Sequence, residues 1–210
     1  MRIAYVILTC EKYIDTRVPW QLDTMFQHVN RSDLYFLGHT MDPSRRLFSW
    51  GAPDSYEELP SKFIDFFKNM DLSYDWYILI DDDTFVFHER MEAMLSSHQT
   101  HDSFAIGQVL DHIQHSTWGC YLSGGAGTVL SRTLYQQLCT YIRTAPLSIV
   151  ACHWCADICL GQWIKRVGGQ LFHHPQFHAD IYDASKDNLS LALTFHHLKE
   201  WKDYETLIKN

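Results

Sequence analysis

The stretch Trp76-Tyr77-Ile78-Leu79-Ile80 is an unbroken apolar run that passes directly into Asp81-Asp82-Asp83. A short run without polar alternation reads as the central strand of a parallel sheet, covered on both faces. In open α/β sheets ligands bind beyond the carboxyl ends of such strands. Three adjacent carboxylates repel one another, and holding them together there is costly unless a cation neutralises them. Oxygen donors of this kind select Mg²⁺ or Mn²⁺. A solvated acidic turn is the competing reading, and the quality of the strand makes it the weaker one.

The elements around this strand alternate. Residues 3–9 form another buried strand, 15–29 a helix with Trp20, Leu22, Met25 and Phe26 at helical spacing, and Leu34–Leu37 a second strand. Met41 to Ser55, with two prolines and a glycine, reads as loop. Ser55 to Asn69 reads as helix. Strand, helix, strand, helix, strand predicts βαβ units with right-handed crossovers. Further on, the sequence predicts a strand at 104–107, a glycine-bearing loop over 118–129 and helices near 131–144 and 155–167. A His-rich loop and strand follow at 173–181. No repeat or linker interrupts the chain, so residues 1–210 are expected to form a single α/β domain. Its sheet is expected to be Rossmann-like and mostly parallel, flanked by helices, with the βαβ units in a first half near 1–88 and a second half of different texture near 89–210.

Apolar residues at 46% and charged residues at 20% exclude intrinsic disorder. A net charge of −8 argues against a nucleic-acid partner, which would need clustered Lys and Arg. An acidic chain can still hold an anionic ligand through a divalent cation. No segment is long and apolar enough for a membrane span, and Met1 to Leu8 is too short for a signal peptide. The six cysteines are expected to be reduced thiols in a cytoplasm-like compartment.

Two enzyme classes place Asp-x-Asp at a strand end. The haloacid-dehalogenase-like pattern Asp-x-Asp-x-Thr fails in either register: counting from Asp81 puts Phe85 at the Thr position, and counting from Asp82 puts Thr84 at the second carboxylate. The other class is the GT-A glycosyltransferases, whose DxD motif holds a divalent ion against the diphosphate of a nucleotide-sugar. Along nearly its whole length this sequence resembles the fringe-like, β-1,3-glycosyltransferase-type enzymes of family 31. The resemblance is carried by Ile7 to Tyr13 with Arg17, by Lys62 and by Trp76 to Val86. It continues through Tyr121 to Gly127 (YLSGGAG), Asp157 to Gly161 (DICLG) and Phe177-His178. One departure is Ala156, where the family usually has an acid. Another is that eukaryotic relatives carry a membrane anchor and stem while this sequence begins at its first strand, the expected context being a bacterial enzyme, a large DNA virus or an excised domain of a longer polypeptide.

The resemblance implies a GT-A fold and a metal-dependent transfer from a UDP-sugar to a hydroxyl of a glycan or glycoprotein, with Mn²⁺ or Mg²⁺ as cofactor. It implies Asp81 and Asp83 as metal ligands with His178 as the third, and Asp180, His196 and His197 are the alternatives. Asp157 would be the general base for the acceptor hydroxyl. Thr9, Arg17, Lys62, Asp81, Asp82, Gly124 and Gly125 fall on the donor side, and Trp118 is a candidate acceptor platform. A non-catalytic nucleotide- or glycan-binding domain and a metal-dependent hydrolase are the other functional classes this pattern admits.

Overall fold

The computed structural model describes residues 1–111, 119–146, 150, 155–180 and 186–209; Trp118 and Cys152 lie outside them. In chain order the elements begin with β1 (Ile3–Leu8), α1 (Arg17–Asp23), β2 (Leu34–Leu37), β3 (Leu47–Phe48), α2 (Leu59–Asn69) and β4 (Trp76–Asp81). There follow β5 (Phe85–Val86), α3 (His88–Leu95), β6 (Phe104–Gly107), β7 (Val109–Asp111), β8 (Cys120–Leu122) and β9 (Thr128–Ser131). The remainder comprises α4 (Arg132–Thr144), α5 (Ala156–Arg166), β10 (Gln170–His173), β11 (Phe177–His178), α6 (Lys186–Leu191), β12 (Thr194–Phe195) and α7 (Trp201–Ile208).

Seven strands form the central sheet in the order β10-β6-β9-β4-β1-β2-β3. Its pairings are parallel except at β9, which runs antiparallel between β4 and β6. Alternate residues of the buried strands feed two cores. Ile3, Tyr5, Ile7, Trp76, Ile78 and Ile80 pack on one side with Val18 of α1, Met91 of α3 and Tyr204 of α7. Ala4, Val6, Tyr77 and Leu79 face Phe66 and Phe67 of α2, Tyr135 of α4 and Trp163 of α5 on the other. The Tyr77 and Tyr135 rings stack at 3.7 Å. Burial on both faces explains why these strands show no polar alternation.

The structure departs from the sequence expectations in places. The helix expected over 15–29 is reduced to Arg17–Asp23, because Thr24 leaves helical geometry (φ −121°, ψ −98°) with its hydroxyl bonded 2.6 Å from the Trp20 carbonyl. The loop over 41–55 contributes the short edge strand β3, paired with β2. The glycine-bearing stretch is followed by a strand, β9, rather than passing straight into the helix. Cys10, Cys120, Cys139 and Cys155 are free, but Cys159 is disulfide-bonded. The expectation of reduced thiols therefore fails at Cys159. Among the described residues no helix is long and apolar enough to cross a membrane.

α5 lies close against β8 because Gly161 has no side chain: a Cβ there would stand 2.6 Å from the Cβ of Tyr121. Gly161→Ala is therefore expected to cost about 1–3 kcal/mol through overpacking. Denaturant unfolding would show this, and unchanged stability would mean that the helix can shift away freely.

Candidate active site

β4 has β1 as a parallel neighbour on one side, with Leu8 in register with Asp81, and antiparallel β9 on the other. The parallel order of the sheet stops at this point. A cleft of about 620 Å³ opens beyond the carboxyl ends of β1 and β4, and it is lined by Thr9, Arg17, Lys62, the three aspartates, Gly124, Gly125 and Asp157, together with His196.

The three carboxylates have separate environments. Asp82 is buried and accepts from Thr9 Oγ1 at 2.8 Å and Arg17 Nη1 at 2.6 Å. Burial pushes its carboxyl above the ordinary range even with Arg17 and Thr9 opposing. The Arg17 guanidinium, stacked 3.7 Å over the Tyr13 ring, also reaches Asp83 Oδ2 at 3.4 Å. Asp82 thus shapes the turn, and Asp81 and Asp83 face the cleft.

Ligand atoms of Asp81, Asp83 and His196 lie within 4.8 Å of one another. His196 Nε2 stands 3.1 Å from Asp83 Oδ1 and 3.7 Å from Asp81 Oδ2. Its other ring nitrogen, Nδ1, is 3.0 Å from the Ala179 carbonyl, which fixes Nδ1 as a donor and aims Nε2 at the carboxylates. Burial, with Asp83 beside it, pushes the Asp81 carboxyl up to about 7. Burial also opposes ionisation of Asp83, yet the hydrogen bond and charge of His196, helped by Arg17, hold it below the ordinary value. Burial disfavours charge on His196 too, but Asp83 and Asp81 raise its pKa. Without a metal, Asp81 and His196 thus hold their protons more readily than the free side chains do. Two carboxylate oxygens and an oriented imidazole suit Mn²⁺ or Mg²⁺, which would take the place of those protons.

The imidazole in this cluster is His196, not His178, the ligand implied by the sequence resemblance. His178 stacks on Phe195 at 4.8 Å and does not line the cleft. β11 and β12 run side by side, and His178 supports its neighbour through the main chain, its carbonyl accepting from His196 N at 3.2 Å. Asp180 and His197 pair with each other at 3.3 Å. Lys62 is buried and donates to Asp54 Oδ1 at 2.7 Å and to the Thr9 carbonyl at 2.8 Å, which fastens the loop after β1.

Asp157 lies in the first turn of α5, where the helix dipole favours an anion. Its Oδ1 accepts from Ile158 N at 2.8 Å and its Oδ2 from Gly124 N at 3.3 Å. The glycine loop joins this carboxylate to the cation cluster. A Cβ on Gly124 would approach Asp157 Cβ to 3.2 Å, and one on Gly125 would enter the His196 ring at 2.3 Å. Thr84 Oγ1 fixes the Gly125 carbonyl at 2.8 Å and Thr194 Oγ1 the Ala126 carbonyl at 2.6 Å. Two consecutive glycines thus let an acid and an imidazole from distant segments close on one cleft.

A model of the Fringe-like family matches residues 2–207. The chain belongs to the Fringe-like family. It is 25% identical over 215 residues to a beta-1,3-glucosyltransferase of Mus musculus and 26% identical over 211 residues to that of Homo sapiens, in both cases over 95% of this chain and 40% of the relative. Chondroitin sulfate synthase 3 of Mus musculus is 22% identical over 90% of this chain and 25% of its own length. The chain thus spans less than half the length of these curated relatives. Among solved structures, a galactosyltransferase, LgtC, in complex with donor and acceptor sugar analogues superimposes with a TM-score of 0.59 at 10% identity, over 98% of this chain and 95% of that one. A glycosyltransferase involved in glycosylation of the major capsid of PBCV-1 gives a TM-score of 0.57 at 12% identity over the full length of both chains. These neighbours show the GT-A fold, an α/β architecture with a mostly parallel sheet.

Several members of this Fringe-like site carry little sequence signal. Asp54, the partner of Lys62, lies in a stretch read as loop. Gln21, whose Nε2 donates to the Asp81 and Thr84 carbonyls at 3.3 and 3.2 Å, could have been inferred from its i+4 spacing to Arg17 on α1. Tyr204, whose O–H donates to the Asp82 carbonyl at 3.0 Å, had no local cue at all. In this Fringe-like chain Gly125→Ala is expected to displace the His196 ring and weaken Mn²⁺ binding by about 10- to 100-fold, the range for losing ligand orientation. Metal titration in the absence of nucleotide checks this; parent-like affinity would mean His196 is not a ligand.

Proposed function

We propose that this chain is a metal-dependent glycosyltransferase domain spanning residues 1–210, which moves a sugar from a UDP-sugar to a hydroxyl of a glycan or glycoprotein acceptor. The observation that carries this reading is the convergence, through Gly124 and Gly125, of the Asp81–Asp83–His196 cluster and the Asp157 carboxylate on a single cleft. The beta-1,3-glucosyltransferase relatives and the GT-A neighbours support it.

Asp81, Asp83 and His196 would hold Mn²⁺ or Mg²⁺, which when bound supplies positive charge to the leaving diphosphate. The chain's own residues do the rest. Thr9, Arg17 and Lys62 build the donor side: Arg17 neutralises Asp82 and Asp83, while Lys62 and Asp54 fix the loop that carries Thr9. Asp157 accepts the proton of the acceptor hydroxyl as that oxygen attacks the anomeric carbon. The two N–H groups on Asp157 hold its carboxylate in place, and the carboxylate gains a proton as the acceptor loses one. Trp118, the proposed acceptor platform, lies outside the described residues.

Asp157→Asn keeps the shape of the side chain and removes the base. Transfer is expected to slow by about 10²–10⁴, with UDP and Mn²⁺ affinity unchanged. Unaltered turnover in this variant would remove Asp157 from that role. UDP affinity is expected to collapse on chelation by EDTA and to return with Mn²⁺ or Mg²⁺, because a −8 chain with clustered carboxylates repels a diphosphate. Asp83→Ala should reproduce the chelated state in calorimetry. Tight UDP binding in EDTA would overturn the metal-dependent reading, and metal-dependent binding without transfer to any acceptor would favour a non-catalytic domain.

A further inference from the structure

The Asp81–Thr84 turn is gripped from behind as well as from the cleft. Each of its four carbonyls has a donor. The Asp81 carbonyl receives Thr84 N at 3.1 Å and Gln21 Nε2 at 3.3 Å. Tyr204 O–H donates to the Asp82 carbonyl at 3.0 Å, Leu198 N to the Asp83 carbonyl at 3.0 Å, and Gln21 Nε2 also to the Thr84 carbonyl at 3.2 Å. Gln21 and Tyr204 are both fully buried, and neither lines the cleft.

The chemistry of these donors differs from that of Arg17. Arg17 holds the turn by its carboxylates, the groups a cation needs, so its grip competes with metal. Gln21 and Tyr204 are neutral and bind only main-chain oxygens. They oppose the splaying of three like charges without placing a positive charge near the cation site. With the four carbonyls tied down, only side-chain oxygens remain to face His196.

We propose that Tyr204 and Gln21 are positioning residues for the cation site: from α7 and α1 they hold the aspartate turn in the conformation that lets Asp81 and Asp83 meet His196. The inference rests on the metal-dependent reading of that site. It makes α7 a working part of the donor site although α7 contributes no side chain to the cleft.

Tyr204 packs its ring against Trp20, Phe85 and Trp201 at 6.0–6.4 Å, so Tyr204→Phe retains the packing and deletes one O–H. Gln21→Met removes the amide donors at similar volume. Each variant, freed of metal and without nucleotide, is titrated with Mn²⁺ while electron paramagnetic resonance reads the free ion; melting without metal is measured in parallel. Leu207→Ala, a cavity on the same helix that removes no hydrogen bond to the turn, is the control. Each positioning variant is expected to weaken Mn²⁺ binding by at least about three- to tenfold, the equivalent of the one hydrogen bond lost in Tyr204→Phe, two being lost in Gln21→Met. Leu207→Ala is expected to lower the melting temperature and leave Mn²⁺ affinity at the parent value. Affinity within twofold of the parent in both Tyr204→Phe and Gln21→Met would overturn the inference, as would an equal loss in Leu207→Ala. If Tyr204→Phe does not fold, Gln21→Met decides; if neither folds, these residues serve folding rather than positioning and the inference falls. A parent chain that takes up no Mn²⁺ is a distinct outcome, since it removes the metal-dependent reading itself.

Discussion

Repulsion among three carboxylates at the end of one strand is the constraint around which this molecule is arranged. The sequence places Asp81, Asp82 and Asp83 in succession, and the structure gives each a different environment. Asp82, at the edge of the cleft, turns its carboxylate to Thr9 and Arg17. Asp83 divides its oxygens between Arg17 and His196. Asp81 has the least compensation and is the one pushed up to about 7, by burial and by Asp83. A buried ion pair is weak evidence for stability, because desolvation offsets much of the attraction. Here the pairing is better understood as geometry, since it leaves two carboxylates aimed at one imidazole.

The glycine loop solves a packing problem created by that geometry. An imidazole at the cation cluster and a carboxylate at the start of α5 must flank the same small volume. Side chains on the intervening loop would fill it. Gly125 yields its Cβ position to the His196 ring and Gly124 yields its own to Asp157. Both glycines therefore make room for contacts within the protein and also line the cleft.

What was legible in the sequence followed from covalent order and periodicity. Buried strands without polar alternation were recognisable because both faces are covered, and the acidic strand end marked the cleft. β9 was not legible, since four residues behind a glycine loop carry no period of their own, and its antiparallel insertion depends on β4 and β6 being in place. The choice between His178 and His196 turned on strand alignment: β11 and β12 lie side by side, and which ring faces the aspartates is a tertiary fact. The structure puts Arg17 against the aspartate turn and Lys62 against the loop after β1, and neither ion pair was legible, because Asp54 and Asp82 signal nothing locally about whom they meet.

The separation of 122 residues between Tyr204 and Asp82 has a kinetic meaning. As the chain leaves the ribosome, the acidic turn appears long before the segment bearing His196 and Tyr204. Thr9 and Arg17 have already emerged by then, 73 and 65 residues earlier. The first-made half thus carries its own counter-charge and can collapse around β1 and β4 without waiting for an ion. The imidazole arrives only when the C-terminal segment docks, a long-range and therefore late event. Assembly of the Asp81–Asp83–His196 cluster is thereby coupled to completion of the fold.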